Sequence, residues 1–179
     1  MNGVLSLDDA SFDGKHVLFR VDINLPLHPE TKEFLDDGRL RAITDTLDDL
    51  LNSKVVIIGH QSRPGRADFT DLSSHSEKLS KILNRKVKFI SDVCGEDAIE
   101  AIRDMSDGDI ICLDNVRMHP DEISLKNAEP DQLRNSDFVK TLAPEFDAYV
   151  TDAFAAAHRS TPSLCGFSEV LPCYAGRLM

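Results

Sequence analysis

Short apolar runs alternate along the chain with stretches of helical period, and this alternation limits the fold more than any other feature. The runs are Val17-Leu18-Phe19-Arg20-Val21, Val55-Val56-Ile57-Ile58, Val87-Lys88-Phe89-Ile90, Ile110-Ile111-Cys112-Leu113 and Ala148-Tyr149-Val150. Several are apolar at nearly every position and β-branched, as strands buried on both faces of a parallel sheet are. Between them, residues 38–51 set Leu40, Ile43, Leu47, Leu50 and Leu51 on one face behind Asp36 and Asp37. Ser74-His75-Ser76-Glu77 reads as a capping box ahead of Leu79, Ile82 and Leu83. Residues 96–105 carry Ala98, Ile99, Ile102 and Met105 and stop before Gly108; residues 136–143 carry Phe138, Val139 and Leu142 and end at Pro144. β-α pairs in series predict an α/β, doubly wound (Rossmann-like) parallel sheet of about six strands with helices on both faces and right-handed crossovers. Residues 22–37 and 114–134 read as long irregular connections, which in a compact domain mark function or disorder.

A length of 179 residues predicts one domain with a core of its own, spanning 1–179. The 20 Lys and Arg against 31 Asp and Glu give a net charge of −11. That balance argues against nucleic acid or an anionic membrane as partner, since either needs a basic face. No apolar run reaches the roughly 18 residues of a membrane span, and the start lacks the layout of a signal peptide. Cys94, Cys112, Cys165 and Cys173 show no C-x-x-C spacing and no histidine at ligand distance, so no metal site is expected. Free thiols and a cytoplasmic location follow as expectations.

Ligands of open α/β sheets bind where the strands end. The first run is followed by Asp22-Ile23-Asn24-Leu25-Pro26 and the second by His60-Gln61-Ser62-Arg63-Pro64-Gly65-Arg66. The fourth leads into Asp114-Asn115-Val116-Arg117-Met118-His119-Pro120, and the fifth into Asp152-Ala153-Phe154 and Ala157-His158-Arg159. Arg, His and Asn gather at these ends and Lys is absent. Arginine offers a planar fork for bidentate contact with carboxylate or phosphate. A chain of net charge −11 that sets Arg39, Arg63, Arg66, Arg117 and Arg159 near one rim has the makings of a local anion site.

Taken singly, each residue has an ordinary reading. A lone loop arginine is usually a solvated charge. Asp22 and Asn24 fit turn positions, and His60 fits a cap or a half-buried, satisfied histidine equally well. His119 and His158 lean towards the structural reading. Arg39 is harder to dismiss: a cation in the first turn of a helix faces the unfavourable end of the dipole and needs an anion nearby. No phosphate-binding G-x-x-x-x-G-K-[ST], no dinucleotide G-x-G-x-x-G and no G-x-S-x-G elbow is present. The rim carboxylates Asp22, Asp114 and Asp152 form no evident acid/base pair.

At these residues the chain resembles the N-terminal, 3-phosphoglycerate-binding domain of the phosphoglycerate kinase family. The matching segments are Arg20-Val21-Asp22-Ile23-Asn24-Leu25-Pro26, Asp37-Gly38-Arg39-Leu40-Arg41-Ala42, Gly59-His60-Gln61-Ser62-Arg63-Pro64, Asp114-Asn115-Val116-Arg117-Met118-His119-Pro120, Asp152-Ala153-Phe154 with Ala157-His158-Arg159, and Ala175-Gly176-Arg177-Leu178-Met179. They run in family order to the last residue. The insertion before Phe34-Leu35-Asp36-Asp37 looks nearer the archaeal branch.

The resemblance implies glycolytic phosphoryl transfer between 1,3-bisphosphoglycerate and ADP. It places substrate contacts at Asp22, Ile23, Asn24, Arg39, His60, Gln61, Ser62, Arg63, Arg117 and Arg159. Asp22 and Asn24 would bond the glycerate, and His60, Arg63, Arg117 and Arg159 would surround the substrate phosphate. Arg39 would be the catalytic residue on the transferring group. Mg-ATP or Mg-ADP would sit on a C-terminal domain absent from this chain, leaving no cofactor here. The chain would be a monomer that binds 3-phosphoglycerate or 1,3-bisphosphoglycerate without turnover. An exposed apolar face is expected near its end, at Leu171, Tyr174 and Leu178, where the missing domain would pack. Gln61-Ser62 stands where the family commonly has Leu-Gly, Met118 where Phe is usual, Asp114 for the frequent Glu and Thr151 for Asn. A stand-alone anion-binding α/β module without catalysis is the alternative reading, and a rim without a ligand is the third.

Overall fold

The order of strands across the sheet decides which loops can meet. In the computed structural model, which describes residues 4–179, the strands are β1 (His16–Arg20), β2 (Lys54–Ile58), β3 (Val87–Ile90), β4 (Ile110–Leu113), β5 (Ala148–Thr151) and β6 (Cys173–Ala175). They form one sheet in the order β3-β4-β2-β1-β5-β6, with every pairing parallel. The register sets Val17 beside Val55 and Ala148, and Arg20 beside Ile58 and Thr151. The chain builds outward from β1 on one side and then crosses to β5 on the other. The switch point, where the loops part to leave a crevice, therefore lies between β1 and β5.

Alternation along the strands supplies two cores. Val17, Phe19, Val55 and Ile57 point into one with Leu40, Ile43, Leu47 and Leu79. Leu18, Val56, Ile58 and Ile111 point into the other with Ile102, Phe138, Val139 and Phe167. The first face carries α1 (Gly38–Ala42), α2 (Thr44–Asp49) and α3 (Ser73–Leu83), and the second carries α4 (Glu96–Arg103) and α7 (Asp137–Leu142). Phe167 packs edge-on against Phe138 at 5.4 Å and stacks on Tyr149 at 5.8 Å. Each such pair adds about 1 kcal/mol beyond the area it buries.

Three local expectations are corrected. Residues 38–51 are two helices, broken at Ile43, where Thr44 Oγ1 donates to the Arg41 carbonyl at 2.8 Å and bends the backbone. Leu40, Ile43, Leu47 and Leu50 are buried as expected, but Leu51 is 50% exposed. The box at Ser74–Glu77 does not form. Instead α3 starts at Ser73, whose N–H and hydroxyl both donate to Asp71 Oδ1, at 2.9 and 2.5 Å, while His75 and Ser76 turn into the core. Residues 114–134 are not irregular. They hold a 3-10 turn at Val116–Met118 and two five-residue helices, α5 (Pro120–Ser124) and α6 (Pro130–Arg134), each with proline in its first turn. Helices that short show no period.

The sixth strand is three residues long and sits at the edge beyond β5. Of the three apolar residues expected at the surface near the end, Tyr174 packs edge-on against Phe12 at 5.1 Å and Leu171 joins the second core. Leu178 is 39% exposed. Among the described residues no helix is long and apolar enough to cross a membrane.

Candidate anion-binding site

The four strands whose ends carry the Arg, His and Asn residues singled out in the sequence are the four central ones, β4-β2-β1-β5; the edge strand β3 carries none. At the end of β1 the chain turns inward. Ile23 is 1% exposed and lies so close over Gly59 that a Cβ there would come within 2.8 Å of it. Asn24 then faces outward, and its Oδ1 accepts from Ser62 N at 2.8 Å. Asp22 forms an ion pair with Arg39, which supplies the anion that a cation at a helix start requires.

At the end of β2, three consecutive residues do three different things. His60 is 4% exposed, and its Nδ1 accepts from Arg20 Nη2 at 3.2 Å, so the ring proton resides on Nε2. Burial, with Arg20, Arg117, Arg159 and Arg39 nearby, pushes its pKa down to about 2. The imidazole is therefore neutral and adds no charge to the cleft. Gln61 is fully buried. Its Oε1 accepts from Leu25 N at 2.9 Å and lies 3.1 Å from His75 Nε2, and its Nε2 donates to Leu25 O at 3.0 Å. Gln61 and Ile23 thus present their side chains to the interior and not to the cleft. Ser62 carries a φ of +55°, the left-handed region, which accounts for glycine being common there in the resembling family. Its Oγ donates to Asp68 Oδ1 at 2.6 Å.

After β4, Asn115 is buried and its Nδ2 donates to Gln61 O and Thr70 O, both at 2.8 Å, clamping the β2 loop. Arg117 donates from Nη1 to the Ser62 carbonyl. After β5, Arg159 closes a turn by donating its N–H to Ala156 O at 2.9 Å. Asp114 and Asp152 face inward: Asp114 accepts from Leu72 N and Asn115 N, Asp152 from Thr46 Oγ1 and Leu178 N. Burial raises the pKa of both.

Asn24, Ser62, Arg63, Arg117 and Arg159 line one cleft of about 850 Å³, together with Arg66, Lys126 and His158. Asp22 and Arg39 stand outside it. Burial lowers the Arg117 pKa, and the neighbouring Arg159, Arg20 and Arg63 lower it further. Cations that repel one another in a half-buried cleft favour binding of an anion.

Behind the cleft lies a buried charge that sequence reasoning passed over. Arg20 interrupts an apolar strand run and is 1% exposed. Its Nε donates to Ser163 Oγ at 3.1 Å and its Nη1 to the Val21 carbonyl. Burial lowers its pKa, opposed chiefly by Glu122. Glu122 and Thr161, which also line the cleft as Asp68 does, complete this layer with Ser163, and no sequence pattern announced them. Among the described residues no group of three or more His, Cys, Asp and Glu side chains is placed to hold a metal ion.

The phosphoglycerate kinase family profile matches residues 7–179. Phosphoglycerate kinase of Methanobacterium bryantii is 47% identical over 176 residues, covering 97% of this chain and 42% of the relative. That of Methanothermus fervidus is 48% identical over 176 residues, with the same coverage. The crystal structure of phosphoglycerate kinase from Pyrococcus horikoshii OT3 superimposes with a TM-score of 0.93 at 36% identity, covering 98% of this chain and 43% of that one. The Coxiella burnetii enzyme gives 0.77 at 27% identity. The chain spans about two-fifths of the length of the relatives it matches. With the sheet, the rim and these matches together, the chain belongs to the phosphoglycerate kinase family and has the fold of its N-terminal domain.

Proposed function

We propose that the cleft binds 3-phosphoglycerate, and 1,3-bisphosphoglycerate in the opposite direction, as the acceptor half of a glycolytic kinase. The observation that carries this is the convergence of Arg63, Arg117 and Arg159 in one cleft, above buried Arg20, in a chain of net charge −11. Arginine forks fit the phosphate, and Asp22 as acceptor with the Asn24 amide, both at the rim, fit the glycerate hydroxyl. The reaction moves a phosphoryl group between the substrate carboxylate and a magnesium nucleotide, which enters as the second substrate on another domain.

What this chain supplies is position and charge. Phosphoryl transfer disperses negative charge over equatorial oxygens and asks for cations more than for acid/base groups. Arg39, 45% exposed in its side chain and held by Asp22 at the rim, is placed to meet that charge once substrate parts the pair. The neutral His60 orients Arg20 and leaves the cleft's charge to the arginines.

Calorimetric titration of 3-phosphoglycerate into the chain at two salt concentrations tests the reading. Salt-sensitive binding that an Arg63→Ala, Arg159→Ala double variant weakens at least tenfold is expected, with no ATP formed from 1,3-bisphosphoglycerate and ADP by the chain alone. A folded chain that takes up no 3-phosphoglycerate overturns it.

A further inference from the structure

The turn bearing Arg159 owes its place to one buried carboxylate. Glu122, on α5, is 5% exposed. Its Oε1 accepts from Thr161 Oγ1 at 2.8 Å and from Ser163 Oγ at 2.7 Å, and its Oε2 accepts from Ser163 N at 2.9 Å. Ser163 Oγ in turn accepts from Arg20 Nε at 3.1 Å. One carboxylate therefore fixes the two residues that follow Arg159 at i+2 and i+4, and reaches Arg20 through a shared hydroxyl. Two further bonds tie the same turn to the chain after α5: Asn127 N donates to Ser160 O at 2.7 Å, and Ser160 Oγ donates to Ala128 O at 3.0 Å.

A buried carboxylate beside an anion site is at first sight a fault. It repels the ligand, and taking a charge out of water is costly unless hydrogen bonds compensate. Here they do, with three donors on two oxygens. The carboxylate also opposes the mutual repulsion of Arg20, Arg117 and Arg159, which otherwise drives the cations apart before a ligand arrives. It spends none of their donors, because it bonds hydroxyls and a backbone N–H rather than the guanidinium groups.

We propose that Glu122 is a positioning residue for the phosphate site: it holds the Arg159 turn through Thr161 and Ser163 and steadies Arg20 through the Ser163 hydroxyl. The inference rests on the cleft binding 3-phosphoglycerate, as proposed above. Electrostatics alone and positioning predict opposite results. Removing a negative charge beside an anion site tightens anion binding if charge is all that matters. If Glu122 positions the arginines, its removal weakens binding although the site has become more positive.

The test is calorimetry with 3-phosphoglycerate on the parent chain, Glu122→Gln and Ser163→Ala, well below each melting temperature, beside NMR of the arginine Nε–H groups. Expected are a five- to twentyfold loss of affinity in Glu122→Gln and a smaller loss in Ser163→Ala. In the parent the Arg20 Nε–H should be slow to exchange, and in Ser163→Ala that protection should fall. Lowered melting with affinity unchanged, or affinity increased, would make Glu122 a structural or purely electrostatic residue and overturn the proposal, leaving the reading of the cleft intact. If Glu122→Gln does not fold, Ser163→Ala decides by the same two readouts. No binding by the folded parent chain overturns both.

Discussion

Asp22, just after β1, and Arg39, in the first turn of α1, form an ion pair outside the arginine-lined cleft. Arg39 stands outside the cleft that Arg63, Arg66, Arg117 and Arg159 line.

The pair is half solvated on the arginine side, 45% exposed against 11% for the aspartate. Pairs of that kind contribute about 1 kcal/mol or less. Arg39→Ala should therefore melt within about 3 °C of the parent, the shift that energy corresponds to at this chain length. A fall of 10 °C would show that the pair is structural and weaken the assignment of Arg39 to chemistry.

Ser62 sets the cost of left-handed backbone against a hydrogen bond. Its φ of +55° costs a residue with a Cβ about 1–2 kcal/mol, and the 2.6 Å bond to Asp68 returns a similar amount. Ser62→Gly should leave stability within about 1 kcal/mol, relief of strain offsetting the lost bond and the more flexible unfolded chain. Ser62→Val loses the bond and adds a branched side chain at positive φ, for a loss of about 2–3 kcal/mol. Because the Ser62 carbonyl receives Arg117, the valine variant should also weaken 3-phosphoglycerate binding. Urea unfolding of both variants, with the titration repeated on each, checks the ranking; equal effects would contradict it.

Gly176 allows no Cβ, since one built there meets Asp152 Oδ1 at 2.1 Å. Asp152 is 2% exposed and joins Thr46 to Leu178, so it cannot yield without leaving buried groups unpaired. Gly176→Ala should cost about 3 kcal/mol and lower the melting temperature by about 10 °C. A thermal melt within 2 °C of the parent would show that the last turn rearranges freely.

Two buried histidines make the fold acid-sensitive above the range of carboxylate titration. Burial lowers the His60 pKa to about 2 and the His75 pKa to about 4, from an unfolded value near 6.5. Below pH 6.5 the unfolded chain takes up protons that the folded chain refuses, so stability falls as pH falls. Each histidine accounts for about 2 kcal/mol between pH 7 and pH 5. Asp114 and Asp152, with raised pKa values, work in the opposite direction as they protonate in the folded state. The difference between parent and His75→Gln removes that background. The variant should lose about 2 kcal/mol less over this interval in urea unfolding; parallel pH profiles would refute the neutral, buried state of His75.

Five of the six strands, the burial of both sheet faces and the cation-bearing strand ends are legible in the sequence, because period and charge are properties of neighbouring residues; the three-residue β6 is too short to show a period. Val17-Leu18-Phe19 and Val55-Val56-Ile57-Ile58 state their double burial without reference to the rest of the chain. Asn24, Arg63, Arg117 and Arg159 are candidates from the strand ends alone and Ser62 from the family resemblance, and they meet in one cleft. The sequence could not separate these from Ile23, His60 and Gln61, which share the same loops and turn inward. Tertiary structure decided that division. Strand order brought β4, β2, β1 and β5 to the centre and left β3 at the edge. Arg20 finds His60 forty positions away and Ser163 at a separation of 143, and Thr161 meets Glu122 across 39. Charge state and burial depend on partners such as these, which come together only when the sheet has closed over its two cores.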